Sequence, residues 1–223
     1  MKKVIVIAAH PDDETLGVGG TILKHVANGD NVAWLIITRL SEKKGISLER
    51  IRERENEIKK VSQLYGFLKV YQLDFDTTTL SSSSLQSLIP KIADVFNEFK
   101  PEVIYTMNRS DIHSDHRIIF DAVFACTKSF RYPFVKRVLM YECISETEFG
   151  PALNECVFVP NYFVDISLFF QKKCSIMKVY ESELSDHPFP RSLKNIEALA
   201  IFRGATVGVE YAESFQLVKY IDK

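Results

Sequence analysis

Two short polar stretches hold most of the side chains in this chain that could do chemistry. The first is Ala9-His10-Pro11-Asp12-Asp13-Glu14 and the second is Asp111-Ile112-His113-Ser114-Asp115-His116. Three of the five histidines, His10, His113 and His116, fall in them. A histidine beside three carboxylates, and two histidines at i and i+3 around an aspartate, are too polar for a core. Together such donors suit a divalent cation. A catalytic zinc takes about three protein ligands and keeps one position open. His10, one carboxylate of the Asp12–Asp13 pair and His116 can supply the three. The spare carboxylate can take a proton from water, and His113 can stabilise or protonate an oxyanion. Asp115 can orient an imidazole through its other nitrogen. These parts describe metal-assisted hydrolysis of an amide or ester. The same two-histidine, one-carboxylate set serves non-haem Fe(II) oxygenases. The additional aspartate and histidine favour hydrolysis, because oxygenation needs no such acid–base pair.

Elements must bring the two stretches together. Each follows an apolar run, Val4–Ala8 and Val103–Met107, that reads as a buried strand. Both motifs then lie at strand exits, where open α/β sheets place their ligands. Further strands are expected at Val32–Ile37, Val70–Leu73 and Val138–Cys143. Helices are expected at Thr15–Ala27, Leu48–Tyr65, Leu85–Phe99 (with Pro90 delaying or kinking it) and from about Arg117 to Ser129. Gly17, Gly19 and Gly20 would let the first helix approach the sheet, and Gly29 suits its left-handed end. Alternating strands and helices predict a doubly wound, mostly parallel sheet. Beyond Glu146 the pattern changes. A short strand, Phe163–Ile166, precedes a helix over Leu168–Glu181 with Ser167 as cap. A Pro-stiffened loop, His187–Ser192, and a helix over Leu193–Arg203 follow. This C-terminal α/β portion is expected to form a wall or lid of the site within a single domain, residues 1–223. The G-x-G-G order at Gly17–Gly20 is a weak match to a dinucleotide loop.

Composition narrows the classes. The 223 residues carry a net charge of -1, which gives no sign of a nucleic-acid or anionic-membrane partner. No apolar run reaches transmembrane length, and the short run after Lys2-Lys3 is rejected as a signal peptide. The isolated cysteines Cys126, Cys143, Cys156 and Cys174 read as buried apolar residues of a reducing cytoplasm. Arg39 stands at a strand exit on the site side. His187 and Arg191 share a stiff loop, and all three are candidates for substrate binding.

A-H-P-D-D-E after the first strand, with H-S-D-H after a later one, resembles the PIG-L/LmbE-like family of zinc-dependent de-N-acetylases. The resemblance covers nearly the whole chain. Arg54-x-x-Glu57, Phe163-Val164-Asp165-Ile166, Tyr180-Glu181-Ser182 and Ala212-Glu213-x-Phe215 echo further landmarks. It implies a Rossmann-like fold and removal of an acetyl group from an N-acetylglucosamine-type conjugate. It implies His10, Asp13 and His116 as ligands of one Zn2+, with other divalent metals such as Fe2+ as alternatives. Asp12 becomes the general base and His113 the oxyanion partner, with Asp115 counted among the catalytic residues and Arg54 among the substrate-binding ones. The implied partner is a small-molecule N-acetyl sugar conjugate, and a homo-oligomer is open. The loop Arg39–Gly45 departs from the Gly-Glu that many relatives carry there, so the group beyond the sugar is not specified. Two other readings stand beside this one. One is a related metallo-amidase acting on a non-sugar amide. The other is a non-catalytic sugar- or nucleotide-binding module, which has no need of four charged groups around a metal.

Overall fold

The computed structural model describes residues 1–222. Its elements are β1 (Lys3–Ala8), α1 (Asp13–Ala27), β2 (Asn31–Arg39), α2 (Leu48–Tyr65), β3 (Lys69–Asp76), α3 (Leu85–Phe99), β4 (Val103–Met107), α4 (Ser114–Ala125), β5 (Arg137–Tyr141), β6 (Tyr162–Asp165), α5 (Phe170–Met177), α6 (Leu193–Val207) and β7 (Ala212–Tyr220). One seven-stranded sheet runs in the order β3-β2-β1-β4-β5-β7-β6. The pairs from β3 to β5 are parallel, and β7 is antiparallel to both β5 and β6. The fold is therefore α/β with a mostly parallel sheet.

The winding reverses between β1 and β4. Right-handed crossovers put α1 and α2 on one face and α3 and α4 on the other. α1 accordingly packs with α2 and α5, and α3 with α4. Helices on both faces explain why β1 and β2 are continuous apolar runs, buried from Val4 to Ala8 and from Val32 to Thr38. The edge strand β3 alternates half-buried and exposed residues instead.

α1 lies close over the sheet, as its glycines require. A Cβ on Gly17 would stand 2.2 Å from a ring carbon of Tyr141, and one on Gly20 2.6 Å from Ile166. α3 runs through Pro90, which sits early in the helix. Several expected boundaries move; β3 extends to Lys69–Asp76 and α4 ends at Ala125. α4 starts at Ser114, not Arg117, because the His113 imidazole caps it and accepts the Asp115 backbone N–H at 3.1 Å. α5 is shorter than Leu168–Glu181, because Ser167 bonds Asp165 and the Tyr211 N–H instead of capping a helix. α6 runs on to Val207, where Gly208 takes the left-handed end. All four cysteines are free. Cys126 and Cys143 are buried as expected, but Cys156 and Cys174 are only half-buried.

Candidate active site

The two motifs meet at the reversal point, beyond the C-terminal ends of β1 and β4. The first loop is pinned from several sides. Thr38 at the end of β2 donates its N–H (3.0 Å) and its hydroxyl (2.7 Å) to the Ala9 carbonyl. Arg54 of α2 donates to the Pro11 carbonyl. Glu14, fully buried, accepts the Asp12 N–H at 3.0 Å, the Thr15 hydroxyl at 2.6 Å and the Tyr180 hydroxyl at 2.9 Å. These contacts hold Asp12 at φ 138°. A non-glycine residue there stores strain of order 1–3 kcal/mol and is an outlier typical of functional sites. The bend sends neighbouring side chains apart. Asp12 lines the cavity, and Asp13 turns toward the histidines.

Asp13 Oδ2 accepts the His10 N–H at 2.8 Å and lies 3.4 Å from His116 Nε2 and 3.8 Å from His10 Nδ1. Donor atoms of His10, Asp13 and His116 all lie within 4.8 Å of one another. His116 is fully buried. Its Nδ1 is 2.8 Å from Asp111 Oδ2, and its Nε2 has no hydrogen-bond partner among the described residues. Burial alone would push the His116 pKa down, but Asp13 and Asp111 outweigh it and raise the pKa well above the usual value. Burial pushes Asp13 up, yet the imidazoles of His116 and His10 hold its carboxyl well below the ordinary carboxylate range. An unpartnered, buried imidazole nitrogen beside an ionised carboxylate and a second imidazole is a donor set for a cation such as zinc.

A second trio, His10, His113 and Asp115, meets the same distance limit, but His10 Nε2, His113 Nδ1 and both Asp115 oxygens already have partners. Asp115 accepts the backbone N–H groups of Thr78 (2.8 Å) and Leu80 (3.1 Å), and its Oδ2 is 3.2 Å from His10 Nε2. Asp115 is fully buried, does not line the cavity and reaches it only through its contact with His10. His113 uses Nδ1 to accept the Asp115 N–H, so in the neutral ring Nε2 carries the proton. Burial, with the charges of His10 and His116, lowers the His113 pKa to about 4. At neutral pH the ring is an uncharged donor at the cavity.

The cavity has a volume of about 450 Å³ and is lined by His10, Asp12, Asp13 and His113. Of the remaining candidates, Arg39 lines it with an exposed side chain at the end of β2. Arg54 and Arg191 also line it, but their guanidinium groups are engaged. Arg54 pairs with Glu57 at 3.1 Å and with Glu183. Arg191 donates to the Glu183 carbonyl (3.0 Å) and the Ser145 hydroxyl (2.9 Å). These two arginines brace the wall through Glu183 and leave no free fork for a ligand. His187 is exposed and does not line the cavity. Of that loop, Arg191 lines the cavity and His187 does not.

The sequence assigns no individual role in the site to Asp111, Glu14, Glu146 or Cys143. Asp111 is the carboxylate on His116, and it also accepts from Asn108 Nδ2 (3.1 Å) and the Thr147 hydroxyl (2.7 Å). Its place within the second motif was the available signal. Burial raises the Glu14 pKa to about 7 against the pull of its hydrogen bonds. Glu146 lines the cavity, and burial pushes its carboxyl up too. Cys143 Sγ stands 3.5 Å from Asp13 Oδ1.

Fold and site together define an α/β protein with a histidine–carboxylate centre at the sheet's reversal point. The chain belongs to the PIG-L family: the family's profile, described as GlcNAc-PI de-N-acetylase, matches residues 5–127. It is 28% identical over 98% of its length to the diacetylchitobiose deacetylase of Thermococcus kodakarensis, and the match covers 84% of that protein. It is 25% identical over 82% of its length, and 84% of the relative's, to the probable N-acetyl-alpha-D-glucosaminyl L-malate deacetylase 2 of Bacillus cereus. The fold matches that of N,N'-diacetylchitobiose deacetylase from Pyrococcus horikoshii with a TM-score of 0.76, 23% identity, and coverage of 98% of this chain and 84% of that one.

Proposed function

We propose that this chain is a metal-dependent hydrolase that removes the acetyl group from an N-acetylglucosamine-type sugar conjugate, with zinc as its cation. The observation that carries this reading is the buried, unpartnered Nε2 of His116 converging with Asp13 and His10 at the cavity. Membership of the PIG-L family and likeness to relatives named as N-acetyl sugar deacetylases support it. The single sheet running from β3 to β6 supports reading residues 1–223 as one domain.

His10, Asp13 and His116 would hold the cation. When bound, it supplies Lewis acidity that polarises oxygen and favours loss of a proton from water near neutral pH. Asp12 takes a proton from the attacking water. Its carboxyl faces the cavity, and burial, then the charge of Asp13, raises its proton affinity well above the usual value. The water oxygen adds to the acetyl carbonyl carbon. His113, neutral and carrying its proton on Nε2, donates to the carbonyl oxygen as negative charge develops there. Asp12 then returns the proton to the amide nitrogen as the C–N bond breaks, leaving acetate and a free amine. Asp115 and Asp111 act through His10 and His116, fixing ring orientation and tautomer.

The test is acetate release from a panel of N-acetylglucosamine glycosides, with and without a strong chelator, followed by zinc addition. The reading requires release that the chelator abolishes and zinc restores. Release unaffected by chelation, or none from any N-acetyl sugar beside turnover of a non-sugar amide, would overturn it.

A further inference from the structure

The cavity extends away from the catalytic residues across two strand positions. Its far wall is built from Leu40 just past β2, from α2 (Ile51, Ile58) and from β3 (Leu73), and Leu16 of α1 also lines the cavity. Strands lie about 4.8 Å apart, so β3 is roughly 10 Å from β1 along the sheet. This wall therefore faces what is attached to the sugar, not the acetyl group.

Three features of the wall describe that attachment. Its apolar side chains are all aliphatic, with Thr38, Gln72 and Thr77 as uncharged polar neighbours; no Phe, Tyr or Trp among the described residues lines the cavity, so no aromatic face is offered for a second sugar ring to stack on. Its exposed charges are Glu55 and Asp74, the latter paired with Lys91, beside Arg39. Of the three lining arginines, Arg54 and Arg191 are held by Glu57, Glu183 and Ser145, which leaves Arg39 at the rim beside Asp74. A phosphate or nucleotide would find Arg39 alone there, facing Glu55 and Asp74, and no closed positive pocket. Ile58 and Leu16 are buried, while Leu40, Ile51 and Leu73 are half-buried and present area that a ligand could remove from water.

We propose that the group carried by the N-acetyl sugar is uncharged and apolar, an alkyl or comparable hydrocarbon attachment seated on Leu40, Ile51, Ile58 and Leu73. This rests on the proposed deacetylation and names its substrate class.

The experiment compares methyl, propyl and butyl N-acetylglucosaminides of both anomers with diacetylchitobiose and uridine-diphosphate N-acetylglucosamine. Each methylene that reaches the wall gains up to roughly fourfold in kcat/KM, so the butyl glycoside of the productive anomer should exceed the methyl one by about tenfold or more. The chitobiose and nucleotide sugars should fall below it. Equal values along the alkyl series, or a nucleotide sugar in the lead, would overturn the inference. Ile51→Asn and Leu73→Asn should bring the butyl-to-methyl ratio toward one; because the ratio is taken within one variant, partial loss of folded protein cancels. A ratio that stays at its wild-type value in both would count against the wall. Calorimetric titration of the matching alkyl glucosaminides, already deacetylated, reads the same wall without turnover. Affinity should climb with chain length, and flat affinity contradicts the inference. If no N-acetyl sugar releases acetate, the proposed reaction fails and the titration alone decides what the wall binds.

Discussion

Asp111 Oδ2 lies 2.8 Å from His116 Nδ1, and the opposite nitrogen of that buried ring has no partner. In the neutral ring the carboxylate fixes the tautomer that leaves Nε2 with a lone pair. Asp111 is itself held by Asn108 and Thr147, and Arg117 braces its loop by donating to the Asp111 carbonyl at 2.8 Å and the Ile112 carbonyl at 2.7 Å. The arrangement orders a ligand from behind.

Asp111→Asn should therefore weaken metal binding by about 10–100-fold while leaving the protein folded. Competition with a chromophoric chelator gives the affinity. Unchanged affinity would mean that Asp111 serves only the loop.

A buried ion pair ties the C-terminal portion to α1. Lys173 Nζ donates to Glu213 Oε1 at 2.7 Å and to the Leu16 carbonyl at 2.9 Å, and Glu213 accepts the N–H groups of Gly20 (2.8 Å) and Thr21 (2.7 Å). Removing one partner leaves the other charge buried, at a cost of about 3–5 kcal/mol. Lys173→Met should lower Tm by about 10 °C. Lys173→Met combined with Glu213→Gln should recover part of that loss. Calorimetry of the three proteins checks this; a single variant as stable as wild type would contradict it.

His25 sits between Asp30 (2.8 Å) and the Tyr105 hydroxyl (3.0 Å), and burial depresses its pKa despite Asp30. The unfolded chain then protonates His25 first, near pH 6.5, and the folded chain only below that. The contribution is complete above pH 6.5 and is lost as pH falls through the depressed value. Wild type should lose stability from pH 7.5 to 5.5 faster than His25→Gln, as read from urea midpoints at each pH. Parallel slopes would show that His25 does not titrate differently on folding.

The sequence made the frame and the centre of the site legible for a physical reason. A parallel sheet covered on both faces demands unbroken apolar strands, and polar metal donors at the ends of such strands stand out. What the periodicities hid was tertiary. Asp111 stands in the second motif, but only the fold shows that His116 turns its Nδ1 to it. Arg54 and Arg191 looked like free cations, and Glu183, distant from both motifs in sequence, occupies them. Histidine is an uncommon helix cap, so the start of α4 was placed three residues late. Ser167 had the composition of a cap but found Asp165 and Tyr211 instead. Glu213 belonged to a weak terminal motif whose meaning, acceptance of two α1 backbone N–H groups, only the fold supplies.

The central claim is that neighbouring residues divide the work, Asp13 holding the cation and Asp12 moving the proton. The structure separates them by the backbone turn at Asp12, φ 138°. Asp13 lies among His10 and His116, and Asp12 faces the cavity. The measurement is metal stoichiometry beside kcat for acetate release in Asp12→Asn and Asp13→Asn. A positioned general base is worth about 10²–10⁴ in rate. Asp12→Asn should thus retain nearly the wild-type metal content and lose at least that factor in kcat, while Asp13→Asn should lose the metal with the activity. If Asp12→Asn loses the metal and Asp13→Asn keeps it, or if neither changes metal or rate, the division of roles is contradicted.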